Sequence, residues 1–292
     1  MFFSMISVFS VPVFFMISGV NLLTKEETVK KQIIRIVRCV LILCIFEVVY
    51  YLENQLKYGD GTLSIKQFFL NMYTSEANGF HLWYMYAYIC FLMILPFLRA
   101  MVKNLTDRHY VYLVTIAFIF MEIIPGIEML FGYSIIKYIV PTPMITNIVL
   151  FPILGHFYNK ITNKQAKYLL ITAFAGVVFA YCINIKCGYN SQLCSLAIAT
   201  FVFLAFKMIF GKMTIAKVPY KIICILGKST FGVYLIHIYF MHIYWWKYDY
   251  LKKYIKDPLV TGFVWILYVQ LVCTVIVLVY LLVQYLIKKY MI

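Results

Sequence analysis

Residues 260–287 read VTGFVWILYVQLVCTVIVLVYLLVQYLI, a run without one charged side chain. A helix rises about 1.5 Å per residue, so this run is longer than the roughly 30 Å hydrocarbon core of a bilayer. Comparable runs precede it at Phe2 to Leu23, Ile33 to Leu52, His81 to Val102, Tyr110 to Leu130, Pro143 to Tyr158, Tyr168 to Ile185, Leu193 to Phe210 and Ile222 to Trp245. Backbone groups in lipid are satisfied only in helices or closed barrels, and the roughly ten-residue alternating segments of a barrel are absent. The sequence therefore predicts an all-α, polytopic transmembrane helix bundle of about nine spans. No repeat, low-complexity tract or linker divides it, so residues 1–292 read as one domain.

Composition points the same way. Hydrophobic residues make up 64% of the chain and charged residues 13%, with mean hydropathy +0.88, outside the range of soluble domains. The net charge of +15 does not indicate nucleic acid, because the Lys and Arg side chains sit mainly in short loops between apolar runs. Alternate loops carry Lys25, Lys30, Lys31, Arg35 and Arg38, then Arg99, Lys103 and Arg108, then Lys160, Lys164 and Lys167, then Lys207, Lys212, Lys217 and Lys221, and finally Lys288 and Lys289. The opposite side is poorer in cations apart from Lys247, Lys252, Lys253 and Lys256. The positive-inside bias thus places Met1 outside and Ile292 in the cytoplasm. The dissenting basic loop reads first as a solvated loop holding Asp249 and Asp257, and second as a site for anionic polymer or lipid head groups. Met1 to Leu23 reads as a span with no cleaved leader.

Several local features follow from spacing. Thr24-Lys25-Glu26-Glu27 has the form of a capping box that opens a helix. Ile65, Phe68, Phe69 and Met72 share one side of a short interfacial helix. Ala173, Gly176 and Ala180 form a small-residue face suited to close helix packing. Ser7, Ser10, Phe14, Ser18 and Asn21 make a polar stripe on the first span, a face that belongs against protein, with Pro12 able to loosen that helix. Cys187 and Cys194 flank one loop, where free thiols are expected ahead of a disulfide.

A central intramembrane charge costs about 2.5–3.5 kcal/mol, so each titratable group in a span calls for a reason. Arg35 and Arg38 are three apart, on one helix face at the cytoplasmic boundary, where guanidinium groups suit a phosphate-bearing ligand; snorkelling to lipid phosphates suits them equally. His81 opens the third span, followed on its stripe by Tyr84 and Tyr88, which either line a cavity or belong to an interfacial aromatic belt. Thr230, Tyr234, His237 and Met241 share a face of the eighth span, although His237 also fits as a packing histidine. His237 and His242 lie about 140° apart around a helix, so no metal site is expected. Glu47 and Glu122 are the acidic groups inside spans, and Glu47 falls about 180° from Arg38, which argues against a simple pair.

Four stretches resemble the acyltransferase 3 family of membrane proteins. Val11-Pro12-Val13-Phe14-Phe15-Met16-Ile17-Ser18-Gly19 resembles the family's second helix. Lys30-Lys31-Gln32-Ile33-Ile34-Arg35-Ile36-Val37-Arg38 resembles its basic motif, without the proline often found soon after. His81-Leu82-Trp83-Tyr84 with Pro96 resembles its His-Leu-Trp segment. Leu226 to His237, Leu-Gly-Lys-Ser-Thr-Phe-Gly-Val-Tyr-Leu-Ile-His, resembles its late motif. The four occur in the family's order, and the resemblance covers essentially the whole chain.

The resemblance implies a bacterial inner-membrane protein that moves an acyl group, often acetyl, from cytosolic acyl-CoA to a hydroxyl of a cell-envelope glycan or related acceptor. It implies acyl-CoA as co-substrate with no bound cofactor. Arg35, Arg38 and Lys31 would hold the donor's phosphates, Ser18, Trp83, Tyr84 and Tyr234 would line the tunnel, and a histidine would take the hydroxyl proton. Members are ten-helix proteins whose first helix carries a basic residue followed by the histidine proposed as base. This sequence has no counterpart to that helix. His81 and His237 are the remaining catalytic candidates, and little or no turnover is expected of residues 1–292. The rival readings are a transporter or glycan flippase, which inverted repeats and midplane charges would favour, and a membrane scaffold without chemistry.

Overall fold

A computed structural model describes residues 8–57, 59, 62–74, 78–132, 146–188, 193, 195–211, 213 and 217–290. The helices are α1 (Ser10–Leu22), α2 (Val29–Lys57), α3 (Ile65–Thr74), α4 (Trp83–Asn104, entered through a 3₁₀ turn at Phe80–Leu82), α5 (Asp107–Phe118), α6 (Ile124–Phe131), α7 (Phe151–Lys160), α8 (Asn163–Cys187), α9 (Ser195–Phe210), α10 (Lys217–Ile243), α11 (Trp245–Tyr254) and α12 (Pro258–Tyr290). A π turn at Ile119–Ile123 joins α5 to α6, and another at Thr146–Leu150 leads into α7. Among the described residues there is no strand. The chain is an all-α, multi-span membrane helix protein. Phe80–Asn104, Asp107–Phe131, α8, α10 and residues 258–287 of α12 are long and apolar enough to cross a membrane, and α1 and α9 are shorter apolar helices. Among the described residues each expected span contains a helix; Phe2 and Pro143, where two of the spans were placed to start, lie outside those residues, as do Ser7 and Cys194. Large apolar side chains such as Phe174 and Val178 on α8 and Phe263, Leu271 and Leu282 on α12 are exposed, as lipid-facing surfaces require.

Two compact units emerge, Met1–Leu41 with Tyr84–Met213, and Ile42–Trp83 with Thr214–Ile292. In the first, α1 packs along α7 and α8 along α9. The α1–α7 crossing is close because a Cβ on Gly19 would land on the backbone of Pro152, and one on Gly155 would land on the backbone of Met16. Phe15, Met16, Phe91, Leu92, Phe151 and Leu154 fill the core beside it. The small face of α8 is buried as its spacing predicts: Ala173, Gly176 and Ala180 all turn inward, and Gly176 sits against Ala197 and Phe118. In the second unit α10 packs on α12 through Val233, Trp265, Val269, Cys273 and Val277.

Two local expectations are corrected. Thr24 does not open a helix, because residues 25–28 are irregular and α2 begins at Val29, where Thr28 Oγ1 accepts from the Lys31 amide at 3.4 Å. Glu27 bonds instead to two arginines, which outbid a local amide because their donors are charged. The polar stripe of α1 is not its buried face: Ser10 and Asn21 are exposed, while Pro12, Phe15, Met16, Gly19 and Leu22 turn inward. The close approach at Gly19 sets the rotation of the helix, and only the glycine face admits it. Pro12 stands in the first turn, where a missing amide costs nothing.

Candidate functional site

In the first unit the site is built around Glu27. Its carboxylate takes a two-pronged hydrogen bond from Arg35, at 2.5 and 2.9 Å, and a third from Arg99 at 3.0 Å. Arg99 also donates through Nε at 2.9 Å to the Leu22 carbonyl at the end of α1, an acceptor that otherwise has only a long bond from the Lys25 amide at 3.4 Å. The three side chains are 29, 13 and 12% exposed for Arg35, Glu27 and Arg99. The Arg35 guanidinium holds the Glu27 carboxyl down to about 2, with burial opposing and Arg99 assisting. Beside them lies a cavity of about 310 Å³, its polar lining Thr24, Lys25, Glu26, Glu27, Gln32, Arg99 and Lys103.

Pro96 and Gln32 shape that cavity's inner wall. Proline has no amide to give the carbonyl four residues back, so α4 leaves the Leu92 oxygen without its usual helical donor. Gln32 Nε2 donates to that oxygen at 2.5 Å. Gln32 Oε1 is buried with no hydrogen-bond partner among the described residues.

The second unit gathers His81, Tyr234 and His237. His81 is 7% exposed, and neither ring nitrogen makes a well-formed hydrogen bond among the described residues, although the Leu235 carbonyl approaches the ring. Its ring stands edge-on to Tyr50 at 4.7 Å, to His237 at 5.4 Å and to Tyr234 at 5.7 Å between centroids. The Tyr234 hydroxyl donates to the His81 carbonyl at 2.6 Å, fixing the 3₁₀ turn that carries the ring. Asn54 and Asn71 hold Asn78 at the turn's approach. His237 Nδ1 is 2.7 Å from the Tyr234 carbonyl. Tyr50 Oη donates to the Leu235 carbonyl at 2.8 Å and accepts from the Tyr239 amide at 3.3 Å, entering one turn of the α10 ladder. One turn along α2, Glu53 holds His242 Nδ1 at 2.9 Å.

The expected site residues thus fall into separate groups. His81, Tyr234 and His237 come together, and Trp83 beside them in sequence is 44% exposed. Arg35 is engaged by Glu27, whereas Arg38 and Lys31 are exposed and do not line the 310 Å³ cavity. Ser18 is half-buried on α1, and Tyr84 packs against Phe15 at 5.4 Å and Tyr88 at 6.0 Å within the first unit. Glu122, without a role from sequence, is buried in the π turn, where Oε1 accepts from the Ala197 amide in the first turn of α9 at 3.0 Å. That position suits a carboxyl group, since the first amides of a helix lack internal acceptors. Glu47 is buried as well. Sequence reasoning missed Gln32, Glu53 and the pairing of Arg99 with Glu27. Gln32 carried a usable signal, being the one uncharged polar side chain in a basic run at a membrane boundary.

A family model described as an acyltransferase domain, acyltransferase 3, matches residues 1–284. No curated protein and no solved structure gave a match.

Proposed function

Because the chain belongs to the acyltransferase 3 family of membrane acyltransferases, we propose that it moves an acyl group, acetyl in the first instance, from acyl-CoA onto a hydroxyl of a cell-envelope glycan or related acceptor. The observation that carries this reading is His81, a buried imidazole whose nitrogens make no well-formed hydrogen bond among the described residues, framed by Tyr50, Tyr234 and His237. A buried polar group without a partner is costly, and an acceptor hydroxyl would supply the missing hydrogen bond. His81 then takes the hydroxyl proton as the oxygen attacks the thioester carbonyl. The carbon–sulfur bond breaks, and the CoA thiolate leaves and is protonated. Tyr234 acts as a positioning residue through the His81 backbone.

Arg35 and Arg38, with Lys31, are assigned to the donor's phosphates, for which guanidinium forks are well matched. The setting proposed is a bacterial plasma membrane, with Met1 outside and Ile292 in the cytoplasm, supported by the loop charges.

Donor binding is measurable apart from turnover. In nanodiscs, acetyl-CoA binding should weaken roughly tenfold in Arg35→Gln and in Arg38→Gln, the loss of one charge-assisted contact each. Binding indifferent to both arginines, or acceptor crossing the membrane without donor consumption, sinks the assignment. Any transfer that is measured should be lost in His81→Ala.

A further inference from the structure

In the first unit, away from the arginines, an apolar cavity of about 400 Å³ lies among α5, α7, α8 and α9. Val111 and Thr115 of α5 and Tyr168 and Thr172 of α8 form its outer walls and are exposed or half-exposed, while Leu196 and Ala197 of α9 form its buried floor. The cavity therefore opens sideways, on a surface that faces lipid in a protein crossing the bilayer. Four of its five hydroxyls are engaged: Thr115 donates to the Val111 carbonyl at 2.9 Å, Thr172 to the Tyr168 carbonyl at 3.0 Å, and Tyr158 pairs with Thr200 at 3.2 Å, while the fifth, on Tyr168, stands on the exposed outer wall. With its inner hydroxyls paired and its floor apolar, the cavity favours an aliphatic chain over a polar ligand.

One end of the cavity is basic. Arg108 precedes Val111 and Thr115 by three and seven residues, which puts it on the same face of α5 one turn nearer the helix start. Lys164 precedes Tyr168 and Thr172 by four and eight, which places it likewise on α8. Both side chains are exposed, with Asp107 and Lys160 nearby. Lys207 is not available at this end, because its ammonium group donates to the carbonyls of Tyr158, Asn159 and Ile161 at 2.6–3.0 Å and closes the last turn of α7.

We propose that this cavity seats one acyl tail of an anionic phospholipid whose phosphate lies between Arg108 and Lys164. The tail fills the apolar cleft and the head group meets the two cations at the membrane interface, the arrangement that basic pockets between spans offer to anionic lipids.

Native mass spectrometry tests this on the full chain released from nanodiscs of equal dioleoylphosphatidylglycerol and dioleoylphosphatidylcholine. One phosphatidylglycerol should be retained in preference to phosphatidylcholine. Arg108→Gln and Lys164→Gln should each lower that preference about fivefold, the share of one interfacial cation. Ala173→Phe fills the cavity from α8 and should abolish retention. Because Ala173 also faces α9, Thr172→Phe on the exposed wall serves as the second plug, with thermal melting to confirm that each variant is folded. Equal retention of the two lipids, a preference unmoved by the double charge variant, or unchanged retention in a folded Thr172→Phe protein overturns the proposal.

Discussion

Proline at position 96 removes the amide that would close on the Leu92 carbonyl, and the Gln32 side chain replaces it from another helix. Gln32→Leu should therefore cost about 1–3 kcal/mol, the penalty for a buried acceptor left open. In a Pro96→Ala background the restored amide meets Leu92, so the same change should cost much less. Unfolding of the four proteins measures the coupling, and equal costs in both backgrounds would contradict it. Glu27 gives a pH signature. Its carboxyl lies near 2 in the folded protein, below an ordinary value of 4.5, held there first by Arg35. A depressed acid adds stability in full above its ordinary value and loses it as pH falls toward the folded one. The melting-temperature gap between wild type and Glu27→Gln should be flat above pH 5 and close between pH 4.5 and 2. A gap that widens on acidification excludes this account. Neither pair is written in local spacing: Gln32 and Leu92 are 60 residues apart, and Arg99 and Glu27 are 72 apart. A motif search on the basic run reaches Arg35 and Arg38 but says nothing of which of them a carboxylate already holds.

Among the helices, the tightest approach is that of α1 and α7 at Gly19 and Gly155, where backbone meets backbone. Gly155→Ala has no flexible side chain to push aside, so the helices must separate, at a cost of about 1–3 kcal/mol. Gly262→Ala on α12, where an added methyl meets open space, is the control and should be near neutral or slightly stabilising. Thermal stability in one detergent compares them directly, and a neutral Gly155→Ala would refute the close crossing. Glycine within a span was legible as a packing signal on α8, where small residues recur at helical spacing. On α1 a lone glycine was overshadowed by the polar stripe, and a stripe shows where water or lipid is tolerated more readily than where a neighbour sits.

For the molecule as a whole, membrane residence was readable at once, because apolar runs long enough to cross a bilayer leave few alternatives. Among the described residues, each such run contains a helix. Its division into two packed units was not readable, since α2 and α4 continue through two of the three unit boundaries without any change in composition. Orientation has a direct test: green fluorescent protein fused after Ile292 should fluoresce, and alkaline phosphatase fused there should stay inactive, whereas the opposite pair inverts the topology. Tyr50 bears on how the histidine cluster could respond to a ligand. Its hydroxyl offers the Leu235 carbonyl and the Tyr239 amide a substitute partner. A bend in α10 at that rung would still leave both backbone groups with the tyrosine hydroxyl as partner, and it would carry the His237 imidazole with it.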